Sequence, residues 1–208
     1  MIVWPYVLRR GHADDPSQGA CAMDAINWLA HGRHGDAPEC ACPIITRYVI
    51  AGNDAMPDGV RQGLLPYLHR IAGSRSTAHE AARLRVLVLG AVRIFAPLVL
   101  DAADLHDCAQ RLRQLPDDAP YAVLQRAAAR AAAKALAAPA RAAARAAALA
   151  AAADAVWAAA AAAEALAARA WGAYFAVLDA ALRAGPEGDP WSADAVQVAA
   201  ERFAQASA

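Results

Sequence analysis

Apolar residues recur at helical spacing through the first 124 residues, and no stretch reads as a strand. Pro16-Ser17-Gln18-Gly19 reads as a turn. Cys21, Ala25, Trp28 and Leu29, at i, i+4, i+7 and i+8, then mark one face of a helix from about Ala20 to His31, stopped by Gly32 and Gly35. Pro43 suits the first position of a second helix, which carries Ile44, Ile45, Tyr48 and Val49 to about Ala51. Gly52-Asn53-Asp54 and Pro57-Asp58-Gly59 are turn chemistry. A third helix presents Val60, Leu64, Leu68 and Ile71 inward, kinked at Pro66. Thr77-Ala-His-Glu80 matches a capping box, opening a helix to about Ala96. The valine and leucine residues of Leu84 to Ile94 continue that helix. Another runs from about Asp101 to Leu115 and ends at Pro116-Asp117-Asp118.

From Tyr121 the pattern becomes alanine-driven helix, with 31 alanines among the 44 residues from Ala127 to Ala170. Alanine has the best intrinsic helix propensity but cannot bind, ionise or attack. Pro139 should kink this helix or begin a new one. A single helix from Ala140 to Arg183 would span roughly 65 Å at about 1.5 Å per residue, so it stands out as an arm or folds back as a hairpin. Leu149, Trp157, Leu166, Trp171, Tyr174 and Phe175 are its candidate packing knobs. Gly185-Pro-Glu-Gly-Asp-Pro190 is a loop, and Ser192 caps a last helix to about Ala206. The expected fold is all-α, with an N-terminal helical domain over 1–118 and an alanine-rich helical region over 119–208.

A chain of 208 residues fits one domain, or one domain with a helical extension. Its formal net charge of zero removes any global pull toward nucleic acid or an acidic substrate. The 59% hydrophobic content is inflated by alanine, whose side chain buries little apolar area. Four cysteines, with Cys21, Cys40 and Cys42 together and Cys108 apart, make no disulfide scaffold and fit a reducing compartment. The start, Met1-Ile-Val-Trp-Pro-Tyr-Val-Leu-Arg-Arg, lacks the basic-then-apolar order of a signal peptide. Val86 to Leu100 is interrupted by Gly90, Arg93 and Pro97 and is too short to span a bilayer. A cytoplasmic protein without a membrane partner is the resulting expectation.

Most residues able to do chemistry precede Arg75. Within His31-Gly-Arg-His34-Gly-Asp36-Ala-Pro-Glu-Cys40-Ala-Cys42, two histidines, two cysteines and a carboxylate resemble zinc ligands, with His12 and Cys21 as alternatives. The spacing matches no standard finger, and a Gly/Pro-rich loop with surface histidines and core cysteines is the favoured reading. Cys21, just behind Gly19 at a helix start, has the layout of a nucleophile: backbone N–H groups lower a thiol pKa, and His12 or His69 could act as base. Gln18 could point into an oxyanion site. As a small thiol beside Ala25, Trp28 and Leu29, Cys21 is also ordinary core filling. Asn53 and Asp54 with Asp58, Arg61 and Gln62 could hold a ligand's charged or amide groups, or cap helices and form an ion pair. Arg126, Arg130, Lys134, Arg141 and Arg145 have no acidic residue among them and could track phosphates, although Pro139 disturbs the stripe and no aromatic interleaves.

Gly19-Ala-Cys21-Ala-Met23-Asp24-Ala25, Asp36-Ala-Pro38-Glu-Cys40, Pro43-Ile44, Asn53-Asp54, Arg61-Gln62, Leu64 and Pro66 together resemble an uncharacterised bacterial and phage-borne family. That family carries a Gly-x-Cys-x-Met-Glu block, Asp-x-Pro-x-Cys, Asn-Asp and Arg-Gln, often with an alanine-rich helical tail. The likeness covers residues 11–76 in detail and brings no activity with it. His12, Cys21, Cys40, Asn53 and Asp54 match the pattern, and Asp24 keeps the charge of the expected glutamate on a shorter arm. His31, His34 and Cys42 do not match, so the ligand set implied for a metal is His12, Cys21 and Cys40, with Asp24 or Asp36.

The leading expectation is a non-enzymatic binding or assembly protein without a cofactor. Asp24, Asn53, Asp54, Arg61 and Gln62 would recognise a ligand, and the alanine-rich helices would pack on a protein partner or self-associate. The alternative is a zinc metalloprotein or cysteine enzyme, with Cys21 and His12 as nucleophile and base or Cys21, Cys40 and His12 as metal ligands. Nucleic-acid binding through the basic stripe is a weaker reading.

Overall fold

The computed structural model describes residues 6–11, 16–32, 35–137 and 154–185. Helix accounts for 75% of them, and with no strand among them the fold is all-α. They contain one strand-like feature, an isolated parallel bridge between Leu8 and Ala20. Two compact units emerge: one takes the chain up to Val86 and again from Leu178, the other Leu87–Val177.

In the first unit, α1 (Ala22–His31) begins at Cys21 and ends where Gly32 turns left-handed, φ 65°, and donates its N–H to Trp28 O. Only glycine enters that conformation without steric cost, which makes Gly32 the stop. Helix α2 (Pro43–Ala55) starts on Pro43 but runs past Ala51, absorbing Gly52-Asn53-Asp54, which read as a turn. Asparagine disfavours helix because its amide competes for nearby backbone. The Asn53 amide is engaged by distant backbone instead, so that competition is gone.

The third predicted helix is realised in pieces: α3 (Asp58–Arg61), a 3₁₀ segment Gln62–Tyr67 containing Pro66, and α4 (Leu68–Ala72). Proline cannot donate the i→i−4 hydrogen bond, and a 3₁₀ stretch takes the place of a simple kink. Leu64, Leu68 and Ile71 are buried, and α1 packs against both α2 and α4. The Thr77–Glu80 capping box does not form. Thr77–His79 is a 3₁₀ turn preceding α5 (Glu80–Gly90), and Ser76 Oγ pairs with His79 Nδ1 at 2.8 Å. The end of α9 (Asp154–Arg183) completes this unit: Leu178, Ala181 and Leu182 are buried, and Asp179 accepts from Arg70 at 2.6 Å.

The second unit holds the end of α5, a π-helical turn Ala91–Phe95, α6 (Ala96–Ala102), α7 (His106–Arg113) and α8 (Tyr121–Ala137). Val92, Leu100, Ala109, Leu112, Ala119, Leu124 and Ala131 form its core. The helix expected from Asp101 to Leu115 is broken, because Asp104 adopts a left-handed φ of 59° and restarts the chain at His106. Asp101 joins the pieces, accepting from Arg113 and from His106 Nδ1 at 3.2 Å. In α9, Tyr174 stands edge-on to Trp171 and Phe175, with centroids 6.1 and 5.5 Å apart. Glu164–Arg183 is the one segment among the described residues long and apolar enough to cross a bilayer, at mean hydropathy 1.2. Pro139, Arg141, Arg145, Leu149 and the helix expected after Ser192 lie outside the described residues, as do His12 and His34.

Candidate functional site

The N-terminal segment builds one wall of a cleft in the first unit. Leu8 is buried, and Arg9 N donates to Ala20 O at 2.9 Å, drawing the segment alongside the approach to α1. Gly19 permits this. Its φ is 90°, and a Cβ there would sit 2.9 Å from Val7 O and 2.8 Å from the Arg9 side chain. Gln62 completes the attachment, with Oε1 accepting from Leu8 N and Nε2 donating to Leu8 O, both at 2.9 Å.

At the start of α1, two of the N–H groups that a helix leaves unpaired are met by side chains. Asn53 Oδ1 accepts from Ala22 N at 3.2 Å, and Cys21 Sγ accepts from Asp24 N at 3.3 Å. Asn53 Nδ2 donates to Arg9 O at 3.0 Å and to Asp54 Oδ1 at 3.3 Å, so one buried amide ties α2 to both α1 and the N-terminal segment. Asp54 Oδ1 also accepts from Gly11 N at 3.5 Å. Asp24 is fully buried. Its Oδ1 accepts from Gly35 N at 2.6 Å, while its Oδ2 has no hydrogen-bond partner among the described residues.

These elements enclose an open cleft of about 400 Å³. Gly11, Cys21, Met23, Gly35, Asp36, Ile50, Asn53 and Asp54 line it. Its described lining has two carboxylates, an amide, a thiol and no cationic side chain. Burial pushes the Cys21 thiol up to about 11, against the Asp24 and Met23 backbone N–H groups, and the charges of Asp24 and Asp36 add to the rise. The lowered pKa expected of a cysteine at a helix start is therefore reversed. Desolvation disfavours the thiolate more than two N–H groups stabilise it. Cys40 is half-buried before α2, outside the lining, and burial raises its pKa too.

Of the residues singled out from the sequence, Cys21, Asp36, Asn53 and Asp54 meet at the cleft. Asp24 stands one hydrogen bond behind it, through Gly35. Arg61 is buried and spent on backbone: Nε donates to Asn53 O at 2.7 Å and an Nη to Met56 O at 2.5 Å, closing the end of α2, while the other Nη pairs with Asp58. Gln62 is the clamp on Leu8. Among the described residues no group of three His, Cys, Asp or Glu side chains could hold a metal ion, and His12 lies outside them. Sequence reasoning missed Gly11, Met23, Gly35 and Ile50. Gly35, φ 142°, was read only as a helix stop, yet a Cβ there would meet Asn27 Nδ2 at 2.8 Å. Comparisons with family models, curated proteins and solved structures found no match to this chain.

Proposed function

We propose that this chain is a non-enzymatic binding protein whose front cleft takes a small, donor-rich cation such as an alkylammonium or a guanidinium compound. The observation that carries this reading is the lining: Asp36 and Asp54 stand in it, no described lining residue is cationic, and the buried Asp24 carboxylate lies just behind. Negative charge in a partly desolvated concavity draws positive charge, and the raised thiol pKa argues against a nucleophile at neutral pH.

Calorimetric titration with a panel of small ammonium and guanidinium compounds tests it. Asp36 is exposed and has no hydrogen bond to other described residues, so Asp36→Asn should fold normally and weaken binding about tenfold, with wild-type binding declining as salt is raised. Binding of anions in preference to cations would sink the reading. About one zinc or iron per chain, by elemental analysis of untagged protein purified under reducing conditions, would replace it with a metal centre.

A further inference from the structure

The second unit carries an open apolar groove of about 480 Å³ between α7 and α8, separate from the front cleft. Its floor is Leu112, Leu115, Ala127 and Ala131, the place where the core of this unit reaches solvent. Arg111 on α7 and Arg130 on α8 also line it, both exposed. Among the described residues neither guanidinium has a carboxylate partner; Arg111 reaches only Cys108 Sγ, at 3.7 Å. No acidic residue appears in the described lining.

We infer that this groove is a docking site for an amphipathic helix of a protein partner, carrying acidic residues on both flanks of an apolar stripe. Alanine methyls on α8 let a partner backbone approach closely, and Leu112 on α7 with Leu115 just after it supplies the apolar contact. One arginine on each of the two helices matches acidic residues to either side of the stripe, which is the charge complementarity that selects this occupant. A nucleic acid would use the arginines but leave the apolar floor unmet.

The test uses the full chain and a fluorescent peptide of about 18 residues, roughly five helical turns, with a leucine stripe flanked by glutamates. A second peptide has lysines in place of the glutamates. The glutamate peptide should bind the wild-type chain by anisotropy and lose about tenfold or more with Arg111→Glu/Arg130→Glu. The lysine peptide should gain a similar factor on that variant. Both arginines are exposed, so the variant should keep the wild-type melting curve. Absent binding, equal binding of both peptides, or indifference to charge reversal overturns the inference. So does arginine-dependent binding of duplex DNA or phosphatidylserine vesicles without peptide binding, or a dimer by light scattering that the same charge reversal dissociates.

Discussion

Asn53 places three hydrogen bonds on one buried amide, and its position within α2 depends on them. Asn53→Ala leaves Ala22 N and Arg9 O without partners, which should cost about 2–3 kcal/mol in denaturant unfolding. A cost under about 0.5 kcal/mol would show that the amide is not a structural tie. Cys21 is the other decisive residue. A thiol held near 11 against an ordinary 9.0 should be alkylated at pH 8 about a hundredfold more slowly in the native chain than in the unfolded one. Folding raises this pKa, so the stability it contributes is fully present below about 9 and fades as pH rises through about 11. Rapid native alkylation below pH 8 would revive the nucleophile reading. Cys21 was legible from its place at a helix start, and Asn53 and Asp54 from the polar string they form with Asp58, Arg61 and Gln62. The separate fates of Arg61 and Gln62 were not, since both depend on which backbone groups lie opposite.

At the scale of elements, the packing of helices overrides local preference in two places. Gly90 lies in a helix, where alanine would ordinarily be favoured by roughly 1 kcal/mol. A Cβ there would stand 2.7 Å from a methyl of Val177 on α9, so Gly90→Ala should instead destabilise by about 1–3 kcal/mol. Adding Val177→Ala should recover part of that loss in thermal melts. A stabilising Gly90→Ala would mean that α5 and α9 do not pack this closely. The second place is the break after α6. The Arg113 guanidinium holds the Asp101 carboxyl below its ordinary range, assisted by His106. This contribution is present above about pH 4 and is lost as pH falls through the lowered value. Asp101→Asn should therefore flatten the acid limb of the stability curve while costing under about 1 kcal/mol at neutral pH. The capping box illustrates the reverse failure, because a four-residue match says nothing about the 3₁₀ turn that Ser76 and His79 stabilise instead.

At the scale of the molecule, the end of α9 belongs to the same unit as the front of the chain. Leu178 and Leu182 are buried in the first unit, and Arg70 reaches across 109 residues of sequence to Asp179. Leu178→Ala should cost about 2–5 kcal/mol if that end of α9 is core, and almost nothing if it is a solvated arm. The sequence by itself determined the all-α class, the helix start at Pro43, the stop at Gly32 and the apolar face of Leu64, Leu68 and Ile71. These follow from backbone conformations and periodicity that a few neighbouring residues set. It also pointed to Cys21, Asp36, Asn53 and Asp54, whose side chains can bind or ionise. Tertiary structure alone decided that Gly52-Asn53-Asp54 is helix, that Asp24 is sealed behind Gly35, that Arg61 and Gln62 serve the backbone, and that α9 returns. Each of those outcomes is an energy of long-range contact, set by partners tens of residues away that no local pattern names.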